Sequence, residues 1–433
     1  MSLTGKEIAQ MHKDYVMQSW SKSGVDALPV ERAEGIYFYD YDGNKYADMA
    51  SLLVCSNLGH ELPEIVNAIK EQADKMCFMA PAYASEPKSV LAKKLVELAG
   101  ADTYKRVFFT NGGAESNENA IKMARMVTGR TKIFSCYRSY HGATLGASNA
   151  SGDWRRYAAE IGGANGFVHF MNPQMYRDGY TKGVDDAEVT KKYLDALDLQ
   201  LRYEGPQNVA AIVMESIVGA NGVILPPDGY MKGVRALCDK YGILLIYDEV
   251  QAGYGRTGKM WASQNFDVIP DIMTVGKAIA GGLPMSAVLT RPDIAEKWPV
   301  GTHGTTFGGN PVAAAAACVV LEQYEDGTLL KNVNEMGEYL RSELKKLQEK
   351  HPIIYDVRGL GLMVAIEFAQ ADGTPAPDIW AKVKAECLKR HMLTLNCGVH
   401  GNGMRFATPL NVKKEEIDEG LGILDESLIA LGL

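Results

Sequence analysis

One stretch constrains this chain more than any other: Ile243-Leu-Leu-Ile-Tyr-Asp248-Glu249-Val-Gln251-Ala-Gly253-Tyr-Gly255-Arg-Thr-Gly258. Four consecutive apolar residues, Ile243 to Ile246, read as a strand buried on both faces. Two carboxylates follow at its C-terminal end, and three glycines then lead the chain away in a loop. In an open α/β sheet the carboxyl ends of the strands are where ligands bind. A carboxylate there is costly to bury unless something cationic meets it. Further on, Asp271-Ile-Met-Thr-Val-Gly-Lys277-Ala-Ile-Ala-Gly-Gly282 repeats the pattern, with a lysine after the apolar run. An acid on one strand end and a lysine on a nearby one suit a cofactor with a protonatable ring nitrogen and a carbonyl. Pyridoxal phosphate has both.

With 433 residues, 46% hydrophobic and 23% charged, the chain has room for more than one domain and an ample core. A net charge of −8 argues against nucleic acid or an anionic membrane as a partner. No apolar run approaches the roughly 18 residues of a membrane helix, and Met1 to Trp20 lacks a signal-peptide core. The cysteines (Cys55, Cys77, Cys136, Cys238, Cys318, Cys387 and Cys397) are odd in number and form no C-x-x-C pair. Reduced thiols in a cytoplasm are therefore expected, rather than a disulfide framework or a metal site.

Local patterns set the order of elements. Thr4 to Trp20 reads as one helix, and Gly35 to Asp48 as a β-hairpin around Asp42-Gly43. Val107-Phe-Phe-Thr-Asn-Gly-Gly113-Ala114-Glu115 is a strand, a turn and the start of a helix, whose backbone N–H groups can form an anion site. Ile133 to Cys136 and Gln207 to Glu215 read as further strands, the second ending in a carboxylate. Tyr355 to Glu367 reads as a strand entered through glycines, and Arg405 is expected on an edge strand. Pro311 opens an alanine-rich helix. Strands and helices alternate, which predicts a mostly parallel sheet with helices on both faces.

Asp248-Glu-Val-Gln251-x-Gly-x-Gly-Arg-Thr-Gly followed by Gly276-Lys277-Ala-x-x-Gly-Gly-x-Pro resembles the signature of class III aminotransferases, pyridoxal phosphate enzymes of fold type I. The resemblance runs over nearly the whole chain. It implies an α/β fold with a seven-stranded, mostly parallel sheet in a large domain (61–315). A small α+β domain would be built from both chain ends (1–60 and 316–433). It implies that Lys277 carries the cofactor as a Schiff base and shuttles the proton, while Asp248 keeps the ring nitrogen protonated. Gly113 and Ala114 match the phosphate-binding dipeptide, Tyr140 the aromatic that stacks on the ring, and Gln251 the donor to the phenolic oxygen. Glu215 would meet an arginine or lie near that oxygen, although Ser216 stands where the family has proline. Thr306 in Thr305-Thr306-Phe-Gly-Gly-Asn-Pro311 matches the threonine that reaches the phosphate of the neighbouring subunit, implying a homodimer with shared sites, either alone or paired into tetramers. Arg405 in Arg405-Phe-Ala-Thr408-Pro-Leu matches the clamp for a substrate carboxylate, with Thr408 replacing a proline. His141 reads as supporting structure rather than as a base.

The partners implied are an amino donor and a keto-acid acceptor, pyruvate or 2-oxoglutarate. Trp20 with its flanking segment, Asn111 to Glu115, Arg138 to Gly142 and Gly152-Asp-Trp-Arg155-Arg156 together resemble the taurine aminotransferases of the ω-amino-acid branch. Trp20 and Arg155 are thereby candidate substrate-binding residues, with Arg155 and Arg156 placed near the donor's far end. Within the branch, β-alanine and 4-aminobutyrate are alternative donors. An amino-acid racemase or aminomutase of the same fold is a different reading, and it would need no acceptor. A binding protein without catalysis is a more distant one, since Lys277 and Asp248 are both intact.

Overall fold

The computed structural model describes residues 3–160, 165–173 and 185–433. Seven strands form the central sheet, in the spatial order Arg106–Thr110, Ser286–Thr290, Ile272–Val275, Leu244–Asp248, Val209–Glu215, Lys132–Cys136 and Phe167–Phe170. All neighbours run parallel except Ser286–Thr290, which is antiparallel to both strands beside it. The alternation of side chains explains why these runs need apolar residues on both faces. Leu245 and Tyr247 pack under the helices Asp186–Glu204 and Tyr230–Tyr241. Ile246, with Ala211 and Val213, packs under the helix Gly113–Thr128 on the other face.

Two four-stranded sheets complete the molecule. The meander Val30–Glu34, Tyr37–Asp40 and Lys45–Asp48 accepts Met392–Leu393 as a parallel fourth strand, so residues near both chain ends share one sheet. The other sheet orders Ile354–Leu360, Met363–Phe368, Gly403–Phe406 and Leu395–Cys397, all antiparallel. Among the described residues, no helix is long and apolar enough to cross a membrane.

Three sequence expectations need correction here. The first helix is Gly5–Tyr15, opened by a Thr4–Glu7 capping box, and it stops well short of Trp20. None of its residues is buried, so no core contact extends it past Val16, where the backbone turns extended. Tyr355 to Glu367 is two strands rather than one, because the chain reverses at Gly361 (φ +55°). A Cβ at Gly361 would stand 2.6 Å from the backbone of Thr257, so only glycine lets the hairpin close over the 253–258 loop. Finally, Arg405 lies on an interior strand, paired on both sides, not on an edge.

Candidate active site

Asp248, Glu215 and Lys277 come together at the carboxyl ends of the parallel strands. Asp248 is 4% exposed, and both of its carboxylate oxygens are bonded. Its Oδ2 accepts from Asn117 Nδ2 at 2.8 Å and faces His141 Nδ1 at 2.8 Å, while Oδ1 accepts the Val250 N–H at 3.0 Å. Burial works against a charged His141 ring, but the bond to Asp248 outweighs it and lifts the imidazole above its ordinary range.

Lys277 follows the strand Ile272–Val275 through Gly276 and takes a left-handed backbone (φ +50°), a conformation that non-glycine residues hold only under constraint. Burial holds its ammonium below the ordinary lysine range, and Arg405 pushes the same way while Asp248 opposes. A lysine of this kind is readily available as a free amine.

Across the site, the sixteen-residue helix Gly113–Thr128 begins with no side-chain cap, leaving the first-turn N–H groups at Gly113 and Ala114 to meet an anion. A Cβ on Gly113 would stand 2.7 Å from Val250 Cγ1, so the isopropyl group of Val250 reaches the cradle. It lies beside Gly276 as well, next to Lys277, and the sequence analysis gave it no part. Gln251 Nε2 is buried and has no hydrogen-bond partner among the described residues.

Tyr140 is half-buried, its N–H bonded to Glu215 Oε1 at 3.0 Å; Glu215 Oε2 takes the Gly219 N–H at 2.8 Å. Glu215 therefore fixes two backbone segments, and it also lies within electrostatic reach of Arg405. Burial lifts its carboxyl above the ordinary range. Ser216, the departure from proline, donates to Glu249 Oε1 at 2.8 Å, and Glu249 also takes the N–H groups of Ala262 and Ser263. The second carboxylate of the opening motif thus anchors a loop rather than facing the pocket.

The arginines differ. Arg405 is 5% exposed, and among the described residues its Nε and Nη1 have no partner. Burial depresses its guanidinium below the ordinary arginine range. Arg155 is forked onto Asp153, with Nε 2.9–3.0 Å from both carboxylate oxygens, and lies over the Tyr140 ring at 4.0 Å. Trp20 meets Tyr140 edge-on at 5.6 Å and Arg155 at 5.6 Å. Thr306 is exposed, one residue beyond Thr305, whose hydroxyl is 3.4 Å from Asn111 Nδ2. Arg256 was also missed: it is buried, bonds the carbonyls of Leu362 and Thr408 and the side chain of Asn57, and so ties the glycine loop to the segment after Arg405. Burial pushes its guanidinium down to about 9, with Arg405 acting in the same direction.

An uncapped helix start, an engaged carboxylate, a depressed lysine and an orphaned amide donor fit an anionic ring cofactor. The comparisons agree. Residues 20–428 match the model of the class III aminotransferases. The chain belongs to that family, whose members are pyridoxal phosphate-dependent enzymes with this fold. It is 55% identical, with a TM-score of 0.95, to the structure of a taurine:2-oxoglutarate aminotransferase from Bifidobacterium kashiwanohense in complex with pyridoxal phosphate and glutamate, covering 100% of this chain and 99% of that one. It is 35% identical to a 5-aminovalerate aminotransferase of Pseudomonas aeruginosa over 93% of each chain. It is also 35% identical to an isoleucine 2-epimerase of Lentilactobacillus buchneri, over 93% of this chain and 90% of the relative.

Proposed function

We propose that this aminotransferase takes its amino group from taurine or a closely similar ω-amino sulfonate or carboxylate and gives it to 2-oxoglutarate. The observation that carries the reading is the pair of unlike arginines. Arg405 is buried with two donor nitrogens open, and Arg155 is fixed over Tyr140 at the rim. A keto acid with two carboxylates uses both, and a donor with one distal anion uses the rim alone. The 55% identity to the taurine:2-oxoglutarate enzyme supports the same reading.

Bound pyridoxal phosphate supplies an aldehyde for the amine and a ring that draws electrons from the carbon losing its proton. In this reading each residue has a part. Lys277 Nζ would hold the cofactor and would serve as the base at the substrate carbon. Asp248 would keep a proton on the ring nitrogen, and Gln251 Nε2 would donate to the phenolic oxygen. The N–H groups of Gly113 and Ala114 would bind the phosphate, together with Thr306 of a second copy. Tyr140 would hold the ring's tilt, with Glu215 fixing the Tyr140 backbone. Arg405 would clamp the α-carboxylate, while Arg155 and Trp20 would receive the far end.

A homodimer is part of this proposal. Leu52, Leu53, Tyr83 and Phe307 are exposed apolar side chains that a second copy would cover. We also take the chain ends, 1–60 and 316–433, as one small domain around 61–315. A cytoplasmic setting suits seven cysteines that all stand free.

The test is each donor alone with the loaded enzyme, following conversion of the cofactor from its aldehyde to its amine form. Taurine is expected to convert it, and 2-oxoglutarate to reverse it. If taurine gave no conversion while an α-amino acid gave a fast one, the ω-donor reading would fall. If one substrate turned over with no acceptor, the enzyme would work like its epimerase relative.

A further inference from the structure

We infer that Thr274 and Asn117 form a positioning pair that orients Asp248 and locks it to the lysine strand. This rests on Asp248 being the ring-nitrogen partner, as proposed above.

Asn117 lies on the inward face of the helix Gly113–Thr128 and is almost wholly buried. Its Nδ2 donates at 2.8 Å to Asp248 Oδ2 and at 2.8 Å to the His141 carbonyl. Its Oδ1 accepts from Thr274 Oγ1 at 2.7 Å. A carboxylate and a carbonyl can only accept, so the NH2 must face them. Only the opposite oxygen is left to take the Thr274 hydroxyl. A flipped amide would aim its oxygen at the carboxylate and leave both groups repelling one another in a dry site. The two acceptors set the amide orientation, and the Thr274 hydroxyl holds it there by donating to the oxygen they leave free.

The surroundings make this pair a hub. Thr274 is the cross-strand partner of Asp248, and its carbonyl takes the Glu249 N–H at 2.9 Å. Lys277 follows three residues later, so one bond chain joins the acid's strand, the lysine's strand, the cradle helix and the Tyr140–His141 turn. Thr274 is a fully buried threonine in a run of apolar strand residues (Ile272, Met273, Val275), and among the described residues its hydroxyl bonds Asn117. At that position valine would serve packing equally well.

The experiment compares Thr274→Val, Thr274→Ser and Asp248→Asn with wild type, by two readouts that need no turnover. One is the pH midpoint of the visible absorbance of the lysine-bound cofactor. The other is the dissociation constant of pyridoxal phosphate, titrated into apoprotein. Thr274→Val, which keeps the shape and removes the hydroxyl, should weaken cofactor binding roughly three- to tenfold, the scale of one hydrogen bond. It should also move the pH midpoint by about half a unit or more, about a threefold change in the proton equilibrium. Thr274→Ser should restore both towards wild type, and Asp248→Asn should move both further. Asn117→Ala, which leaves the strand core intact, should shift the midpoint in the same direction as Thr274→Val. Should Thr274→Val fold poorly, as judged by apoprotein melting, Asn117→Ala carries the test. The inference is overturned if Asp248→Asn shifts the midpoint while Thr274→Val, or Asn117→Ala in its place, does not. It is overturned equally if serine behaves as valine does. No shift with Asp248→Asn would instead remove Asp248 from the ring nitrogen, a failure of the parent reading.

Discussion

Asp248 and Arg155 are charged side chains at the same pocket, and they are held by opposite means. Asp248 takes bonds from a helix, from the turn bearing His141 and from the backbone just beyond its own strand. Each of these is set by a different element, so its geometry depends on the whole large sheet. Arg155 is held by Asp153, two residues before it, and by the rings of Tyr140 and Trp20. Trp20 is 64% exposed, on a segment that follows a helix with no buried residue. The contrast separates two jobs. A buried hub satisfied from several directions acts on every substrate alike, while a half-solvated rim tied by local bonds acts only on those that reach it.

The largest effect belongs to the interior. Lys277→Ala should abolish turnover, a loss of at least about 10⁴-fold, because the covalent and proton-transfer roles proposed for it would be lost together. Thermal melting of the apoprotein should stay near wild type, since the lysine's burial costs the folded state rather than supporting it. The loss should be equal for every donor. A variant that kept turnover with one donor, or a borohydride-reducible cofactor adduct at native yield, would break the division into common interior and selective rim.

The intermediate effect falls on Arg405, which is interior by burial and, in the proposed reading, would bond substrate. Losing an arginine–carboxylate fork costs about 2–5 kcal/mol. Arg405→Ala should therefore lower kcat/KM for the keto acid roughly 30-fold to several thousandfold, while the half-reaction with taurine, which has no α-carboxylate, changes far less. Half-reaction rates measured separately for donor and acceptor check this. Equal losses in both would mean that Arg405 shapes the site as a whole instead of clamping one substrate.

What was legible in the sequence divides along the same line. Asp248 and Lys277 were legible because each ends a short apolar run and is followed by glycines, a local pattern that survives without knowing which strands are neighbours. Asn117 and Thr274 were not. A polar residue on a helix and a threonine in a strand look ordinary until the register brings Thr274 beside Asp248. Ser216 looked like a loss of a family proline, and its purpose shows only once Glu249 is seen to need a donor. Arg405 reads as an edge residue in the sequence, whereas in the structure its strand has a second neighbour, Leu395–Cys397, that is only three residues long. The first helix was read too long because Val16, Met17 and Trp20 are apolar, yet their side chains stay exposed.

The smallest effect should come from Trp20, and it is the most discriminating. A cation–π contact at an exposed site is worth about 0.5–1 kcal/mol, or roughly two- to fivefold. Trp20→Ala removes a ring that stands 5.6 Å from the Arg155 guanidinium but leaves the Asp153 fork in place. KM for taurine and for 2-oxoglutarate should each rise by that modest factor, because both put an anion at the far end. Pyruvate, which has no distal anion, should be accepted with an unchanged KM. Steady-state constants for the three compounds on the same preparation decide it. If pyruvate suffered as much as 2-oxoglutarate, Trp20 would be supporting Tyr140 through their edge-on contact, and the rim would have to be counted with the interior.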